Sequence, residues 1–192
     1  ARRKDVREGD LIQIKRAGDV IPEVVKRVKK ARKKRGNKFE MPEKCPVCNT
    51  ELKKEGAYTI CPAGLSCEAQ LKGRLAHFVS KQAMDIHDLG EKNISQLVDQ
   101  EILKDISDIY RLKPEDLKKL EGFGEKSSKK VYEAIQHSKN TSMSNFLYAL
   151  GIRHLGRHGS KVVAGNFHSL EKIKKAKIED LNAVEEMGEE TA

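Results

Sequence analysis

A five-residue pattern, apolar-x-x-apolar-Gly, occurs four times in this chain at almost constant spacing. It reads Ile86-His87-Asp88-Leu89-Gly90, Leu120-Glu121-Gly122-Phe123-Gly124, Ile152-Arg153-His154-Leu155-Gly156 and Val184-Glu185-Glu186-Met187-Gly188. The closing glycines lie 34, 32 and 32 residues apart. A period of that size marks one supersecondary unit used repeatedly. Apolar residues at helical spacing follow each of the first three glycines: Ile94, Leu97 and Val98; Val131, Tyr132 and Ile135; Val162, Val163 and Phe167. The unit is therefore expected to turn tightly at its glycine and then begin a helix. A turn of that kind presents unpaired backbone N–H groups, which suit a phosphate. The glycine itself is expected to take a backbone conformation closed to other residues and to admit a ligand closely.

Side chains decide which copies can use that geometry. Repeat three, residues 150–167, carries Arg153, Arg157 and Lys161 and no acid. Repeat two, residues 117–134, has five lysines against three glutamates, with Lys126, Ser127 and Ser128 just past its glycine. Repeats one and four each carry a net charge of −4, and loops flanked by Glu185, Glu186, Glu189 and Glu190 repel a phosphodiester. The expected phosphate contacts are thus Gly122, Gly124, Lys126, Ser127 and Ser128 in repeat two. In repeat three they are Arg153, Gly156, Arg157, Ser160 and Lys161. Gly90 and Gly188 are assigned to hairpin packing. The bland alternative is a helical repeat that binds nothing.

The second constraint is the cysteines. Cys45, Cys48, Cys61 and Cys67 form C-x2-C, a twelve-residue linker and C-x5-C. Four thiolates in two turn-borne pairs, with Pro46 and Pro62 stiffening the turns, match the tetrahedral demand of structural zinc. Two disulfides or four unrelated thiols are the competing readings. Clustering within 23 positions argues against unrelated thiols. With four protein ligands no position is left for a catalytic water, so the site organises the chain rather than reacting.

Charge is concentrated at one end. The chain has a net charge of +9, and residues 1–40, with fifteen Lys/Arg against six Asp/Glu, account for all of it. The peak, residues 26–35, is of a kind that binds polyanions by counterion release. Within residues 6–28, Leu11, Ile12 and Ile14 and then Val20 to Val25 read as two strands about a turn at Gly18. Two strands alone bury too little to be stable. From Gln70 onward the pattern is helical, with Leu71, Leu75, Phe78 and Val79 on one face and Pro114 at a helix start. No apolar stretch reaches the roughly 18 residues of a membrane span, and no signal-peptide pattern opens the chain, so a cytoplasmic protein is expected. The expected fold class is mainly α with a small β part.

Three motifs stand in a fixed order: Arg16-Ala-Gly-Asp-Val-Ile-Pro22, the cysteine cluster, and the four glycine hairpins. That succession resembles the C-terminal half of NAD+-dependent DNA ligases. Cys61-Pro-Ala-Gly-Leu-Ser-Cys67 with Ala69-Gln70, and Met84-Asp85-Ile86, are similar to that family too. The resemblance spans essentially the whole chain. It implies the end of an OB-fold over 1–40, a four-cysteine zinc finger over 41–70 and a helix-hairpin-helix domain over 71–192 with its fourth hairpin cut short. It further implies nick sealing in duplex DNA during replication and repair, with structural Zn2+ here and NAD+ and Mg2+ serving the full-length enzyme. Lys15 and Arg16 become expected backbone contacts near the nick. The family's adenylated lysine sits in K-x-D-G, which is absent from this sequence, so the chain alone is expected to bind nicked duplex as a monomer, nucleoid-associated, without reacting. The alternative is a non-catalytic zinc and helix-hairpin-helix module of a repair or recombination complex.

Overall fold

A computed structural model describes residues 2–18, 21–28, 35–188 and 191. The chain divides into two compact units, Ala1–Pro62 and Ala63–Ala192. The centre of the basic run, residues 29–34, lies outside the described residues, as do Asp19, Val20, Glu189 and Glu190.

In the first unit, β1 (Ile12–Ala17) pairs antiparallel with β2 (Ile21–Arg27) in the register Lys15↔Glu23 and Arg16↔Pro22, with a bulge between Gln13 and Ile14. Pro22 heads the second strand, where its missing N–H costs little. Before the ribbon, the side chain of Asp10 is held by the Arg35 guanidinium at 2.9 Å and by the Arg7 backbone amide at 3.0 Å. The Arg35 hydrogen bond keeps the Asp10 carboxyl below the usual carboxylate range. Leu11, Ile14, Ile21 and Val25 remain exposed, so the ribbon buries little of its own apolar surface. A second, three-residue hairpin follows, β3 (Lys53–Glu55) on β4 (Tyr58–Ile60), turning at the left-handed Gly56.

The second unit is helical. Helix α1 (Glu68–Val79) buries Leu71, Leu75, Phe78 and Val79, the face expected from their spacing. Helix α2 (Glu91–Asp99) follows hairpin one, then a 3-10 turn at Ile106–Arg111 and α3 (Pro114–Leu117) with proline in its first turn. Next come α4 (Glu125–Ser138), α5 (Met143–Ala149), α6 (Arg157–Phe167), α7 (Leu170–Lys175) and α8 (Ile178–Asn182). Among the described residues no helix is long and apolar enough to cross a membrane. An aliphatic core around Leu75, Phe78, Leu89, Ile94, Leu97 and Ile135 joins α1, hairpin one, α2 and α4. A smaller cluster of Leu147, Leu155 and Val163, with Phe167, Leu170, Ile173 and Met187 against it, serves the later helices.

Helix α5 belongs to both clusters. Phe146, Tyr148 and Ala149 pack on the larger and Leu147 on the smaller. Its C-terminal carbonyls are taken by α1: Arg74 donates to the oxygens of Leu150 and Gly151, and His77 Nε2 donates to that of Tyr148 at 2.8 Å. The His77 ring also stands edge-on to Tyr148, with centroids 4.8 Å apart. A cation at a helix C-terminus that satisfies orphan carbonyls is favourable on both counts. Gly151, left-handed at φ +58, lies against the Arg74 guanidinium, whose nitrogen is 2.6 Å from where a Cβ would stand, so a side chain there would displace it. Hydrogen bonds from a charged donor are worth about 1.5–3 kcal/mol each when broken, so losing both in Arg74→Met is expected to destabilise this unit by about 3 kcal/mol or more in a urea melt.

Candidate metal centre and nucleic-acid interface

The four cysteine sulfurs lie within 4.8 Å of one another. Local structure explains how each arrives. Cys45 opens a tight turn in which Asn49 N donates to Cys45 O at 2.9 Å and Cys45 N to Thr50 O at 2.8 Å, with Asn49 in the left-handed region. The β3–β4 hairpin returns the chain to Cys61. The five-residue gap before Cys67 holds one 3-10 turn, Gly64–Ser66, started by left-handed Gly64 and closed by Cys67 N donating to Gly64 O at 3.0 Å. That turn accounts for the wide second spacing. Cys67 then caps α1 from the N-terminal side.

The donor set fits a metal ion such as zinc. Metal–sulfur bonds of about 2.3 Å in a tetrahedron put sulfurs about 3.8 Å apart, and Cys48 and Cys61 Sγ stand 3.5 Å apart. This is too long for a disulfide, whose S–S bond is about 2.05 Å. The Thr50 hydroxyl, 3.2 Å from Cys48 Sγ, and the Thr50 amide hold the Cys48 thiol down to about 6 against desolvation, so its ligating form is present at neutral pH.

Gly90, Gly124 and Gly156 each occupy the N-cap of the following helix, as the periodicity predicts. Their conformation corrects one expectation. All three are extended, with φ of −77°, −111° and −77°, which any residue adopts. The left-handed residue is two positions earlier in every copy: Asp88, Gly122, His154 and Glu186, with φ between 62° and 80°. Only repeat two places a glycine there, so the chain carries Cβ strain at the other three turns. What these glycines and Gly188 provide is space, since among the described residues, chain neighbours aside, no atom lies within 4 Å of where a Cβ would stand at Gly90, Gly124, Gly156 or Gly188.

One further expectation is corrected. Ser128 and Ser160, four residues past their glycines, have 0 % exposure and reach no surface, so neither touches a ligand. Among the described residues neither hydroxyl has a hydrogen-bond partner, and both lie at the buried face of their helices. The apolar position that opens each pattern is buried in repeats one, two and four, but Ile152 in repeat three is 45 % exposed. Ser127 turns inward on its own loop: it accepts from Gly124 N–H at 2.9 Å and donates to Gly124 O at 3.1 Å. That bond leaves the next first-turn amides, those of Glu125, Lys126 and Ser127, as the open donors of α4; in α6 they are those of Arg157, His158 and Gly159.

Lys126, Arg153, Arg157 and Lys161 are all exposed at these helix starts. Lys15 is exposed too, but it lies 3.3 Å from Glu23 across the strand pair, while its neighbour Arg16 is exposed. One acid in each of hairpins one, two and four is engaged by a neighbouring repeat. Asp88 of hairpin one holds Lys130 at 2.6 Å, Glu121 of hairpin two holds Lys92 at 3.0 Å, and Glu186 of hairpin four accepts from His158 Nε2. Hairpins therefore couple one with two and three with four.

Comparison with known proteins places this geometry. Residues 80–137 match the family model described as a SAM-like helix-hairpin-helix tandem, and residues 145–192 match that of the helix-hairpin-helix motif. A DNA ligase of Nitrosococcus oceani is 46% identical over 188 residues, which is 97% of this chain and 28% of that protein. A DNA ligase of Syntrophobacter fumaroxidans is 43% identical over 192 residues and one of Legionella pneumophila 44% over 188, again 28% of each. The chain is homologous to a segment of the DNA ligases. It spans 28% of the length of the curated relatives it matches.

The signal for the left-handed turn was available in part: Asp at 88 and His at 154 are residue types tolerant of positive φ. Gly122→Ala is expected to cost about 1 kcal/mol through backbone strain alone. Gly124→Ser, at an N-cap where serine is at least as good, is expected to be neutral within about 0.5 kcal/mol. Urea melts of the two variants check the pair. Removing metal with a chelator is expected to free the amides of Tyr58 and Ile60 to hydrogen exchange while those of α2 and α4 stay protected.

Proposed function

We propose that the chain is the DNA-binding portion of an NAD+-dependent DNA ligase that seals nicks in duplex DNA during replication and repair. The observation that carries this reading is the pair of open helix N-termini after Gly124 and Gly156, each fronted by empty space and flanked by exposed cations. Backbone amides there grip phosphate oxygens, with the helix dipole favouring the negative charge. Lys126 contributes charge at hairpin two, and Arg153, Arg157 and Lys161 contribute it at hairpin three. Hairpins one and four, through Gly90 and Gly188, hold the gripping pair in place, with Asp88 on Lys130 and Glu186 on His158.

The remaining parts follow from the same reading. Cys45, Cys48, Cys61 and Cys67 hold a structural Zn2+, which supplies folding energy and no chemistry on the substrate. The ribbon of residues 1–40 belongs to an OB-fold whose Lys15 and Arg16 touch backbone near the nick, residues 41–70 form the finger and 71–192 the hairpin domain. Adenylation from NAD+, with Mg2+, belongs to a K-x-D-G lysine that this sequence does not contain, so the chain binds without sealing. It acts in the cytoplasm, on the nucleoid, as a monomer. Phosphate contacts carry no sequence information, so binding is indifferent to sequence and steep in salt.

The test is fluorescence anisotropy on nicked and intact duplex. Gly124→Leu with Gly156→Leu keeps the fold, since both sites are open and extended. The double variant is expected to weaken affinity by about tenfold or more, roughly 1.4 kcal/mol. Gly90→Leu is expected to change it by less than about twofold, a few tenths of a kcal/mol. Unchanged affinity in the double variant overturns the reading.

A further inference from the structure

Among the described residues, five of the sixteen lysines of residues 63–192 lie within 3.2 Å of a carboxylate of the same unit. Lys72 lies between Glu68 and Asp99, and Lys92, Lys104, Lys119 and Lys130 hold Glu121, Glu101, Asp116 and Asp88. One basic tract outside the hairpins is spent differently. Lys172, Lys174, Lys175 and Lys177 fill four of six successive positions, all are exposed, and among the described residues none of the four ammonium groups has a carboxylate partner.

The fold explains their presentation. Leu170 and Ile173 turn α7 inward onto Leu147, Leu155 and Val163. At about 100° per residue, the opposite side of the helix carries Lys172 and Lys175, with Lys174 on the flank. Three acids lie beside them: Asp180 is engaged with the Lys177 backbone amide at 2.9 Å as a helix cap, while Glu171, on the same face as Lys172 and Lys175, and Glu179 form no ion pair with the four lysines among the described residues. Lysines in a last turn complement the helix dipole, but that is worth only about 0.3–1 kcal/mol and needs one or two cations, not four.

We infer that these four lysines form a second phosphate-contacting tract, which takes the duplex backbone beyond the stretch held at hairpin three. The inference rests on the DNA-binding reading above and extends its footprint. Helix α6, eleven residues and so about 16 Å long, carries exposed Arg157 and Lys161 near its start and leads through His168 and Ser169 directly into α7. A duplex presents one charge about every 1.7 Å of axis, so further phosphates lie within that distance of any phosphate held at the start of α6. Ammonium groups on flexible stems suit such contacts because they ask for charge and not for a fixed geometry.

The experiment compares the whole chain with a Lys172→Gln, Lys174→Gln, Lys175→Gln, Lys177→Gln variant; glutamine keeps helix propensity close to that of lysine. Duplex affinity is measured by anisotropy across a salt series, on a short duplex and on one about twice as long. Each phosphate contact contributes about 0.9 to the slope of log K against log salt. The variant is expected to lose roughly 2 or more from that slope on the longer duplex, with at least about a tenfold loss of affinity at low salt, and less on the short one. A slope unchanged on both duplexes, while Gly124→Leu with Gly156→Leu still weakens binding, overturns this inference and leaves the hairpin reading standing. A lowered slope with no effect of the glycine pair sustains the lysine tract and removes the hairpins. An unchanged DNA slope with lost binding to poly-glutamate assigns the tract to an acidic protein partner and also overturns it.

Discussion

The helical unit depends on a turn made two residues before each hairpin glycine. Asp88, Gly122, His154 and Glu186 all occupy the left-handed region, and that single dihedral reverses the chain; after the first three, the next residues start α2, α4 and α6. The helix then begins with its first amides unpaired by necessity. Three of the four turns tolerate a side chain in a conformation that disfavours one, at about 1–2 kcal/mol each. The geometry shared by the four copies, despite that cost, ties the local strain to the outward aim of the amides. The N-cap glycines add clearance and nothing conformational.

Charge then divides the four copies of one geometry into two roles. One acid in each of hairpins one, two and four is directed at a cation of a neighbouring repeat, in Asp88–Lys130, Lys92–Glu121 and His158–Glu186. Exposed pairs of this kind contribute little stability. Each pair offsets one carboxylate, Glu186 against His158 in the first turn of α6 and Glu121 against Lys92, while Lys126, Arg157 and Lys161 face solvent. Arg74 and His77, by closing the end of α5, connect the core that carries hairpin two to the cluster that carries hairpin three.

Much of this was legible from residue spacing. The glycine period located the N-caps of α2, α4 and α6, the Leu71–Leu75–Phe78–Val79 stripe gave the buried face of α1, and the cysteine spacing gave a converging ligand set. The illegible parts have physical causes. A left-handed turn is announced by glycine only at position 122, so three of the four turns carried no such mark. Ser128 and Ser160 follow their glycines by four residues, one helical turn, which returns them to the inward face; a polar residue type concealed a packing position. Ile152 matches the apolar pattern yet is exposed, because hairpin three packs on a small cluster and not on the main core. The arginine of α1 that closes α5 is 76 residues distant from its partner and has no sequence signature at all.

The central claim is that backbone amides at two helix starts meet phosphate. Amide chemical shifts followed by two-dimensional NMR during titration with duplex DNA test it without altering a residue. The account predicts the largest shifts at Glu125–Ser127 and Arg157–Gly159, with the amides of Glu91 to Asn93 after hairpin one nearly still. Shifts confined to other surfaces, or larger at hairpin one than at hairpins two and three, contradict it.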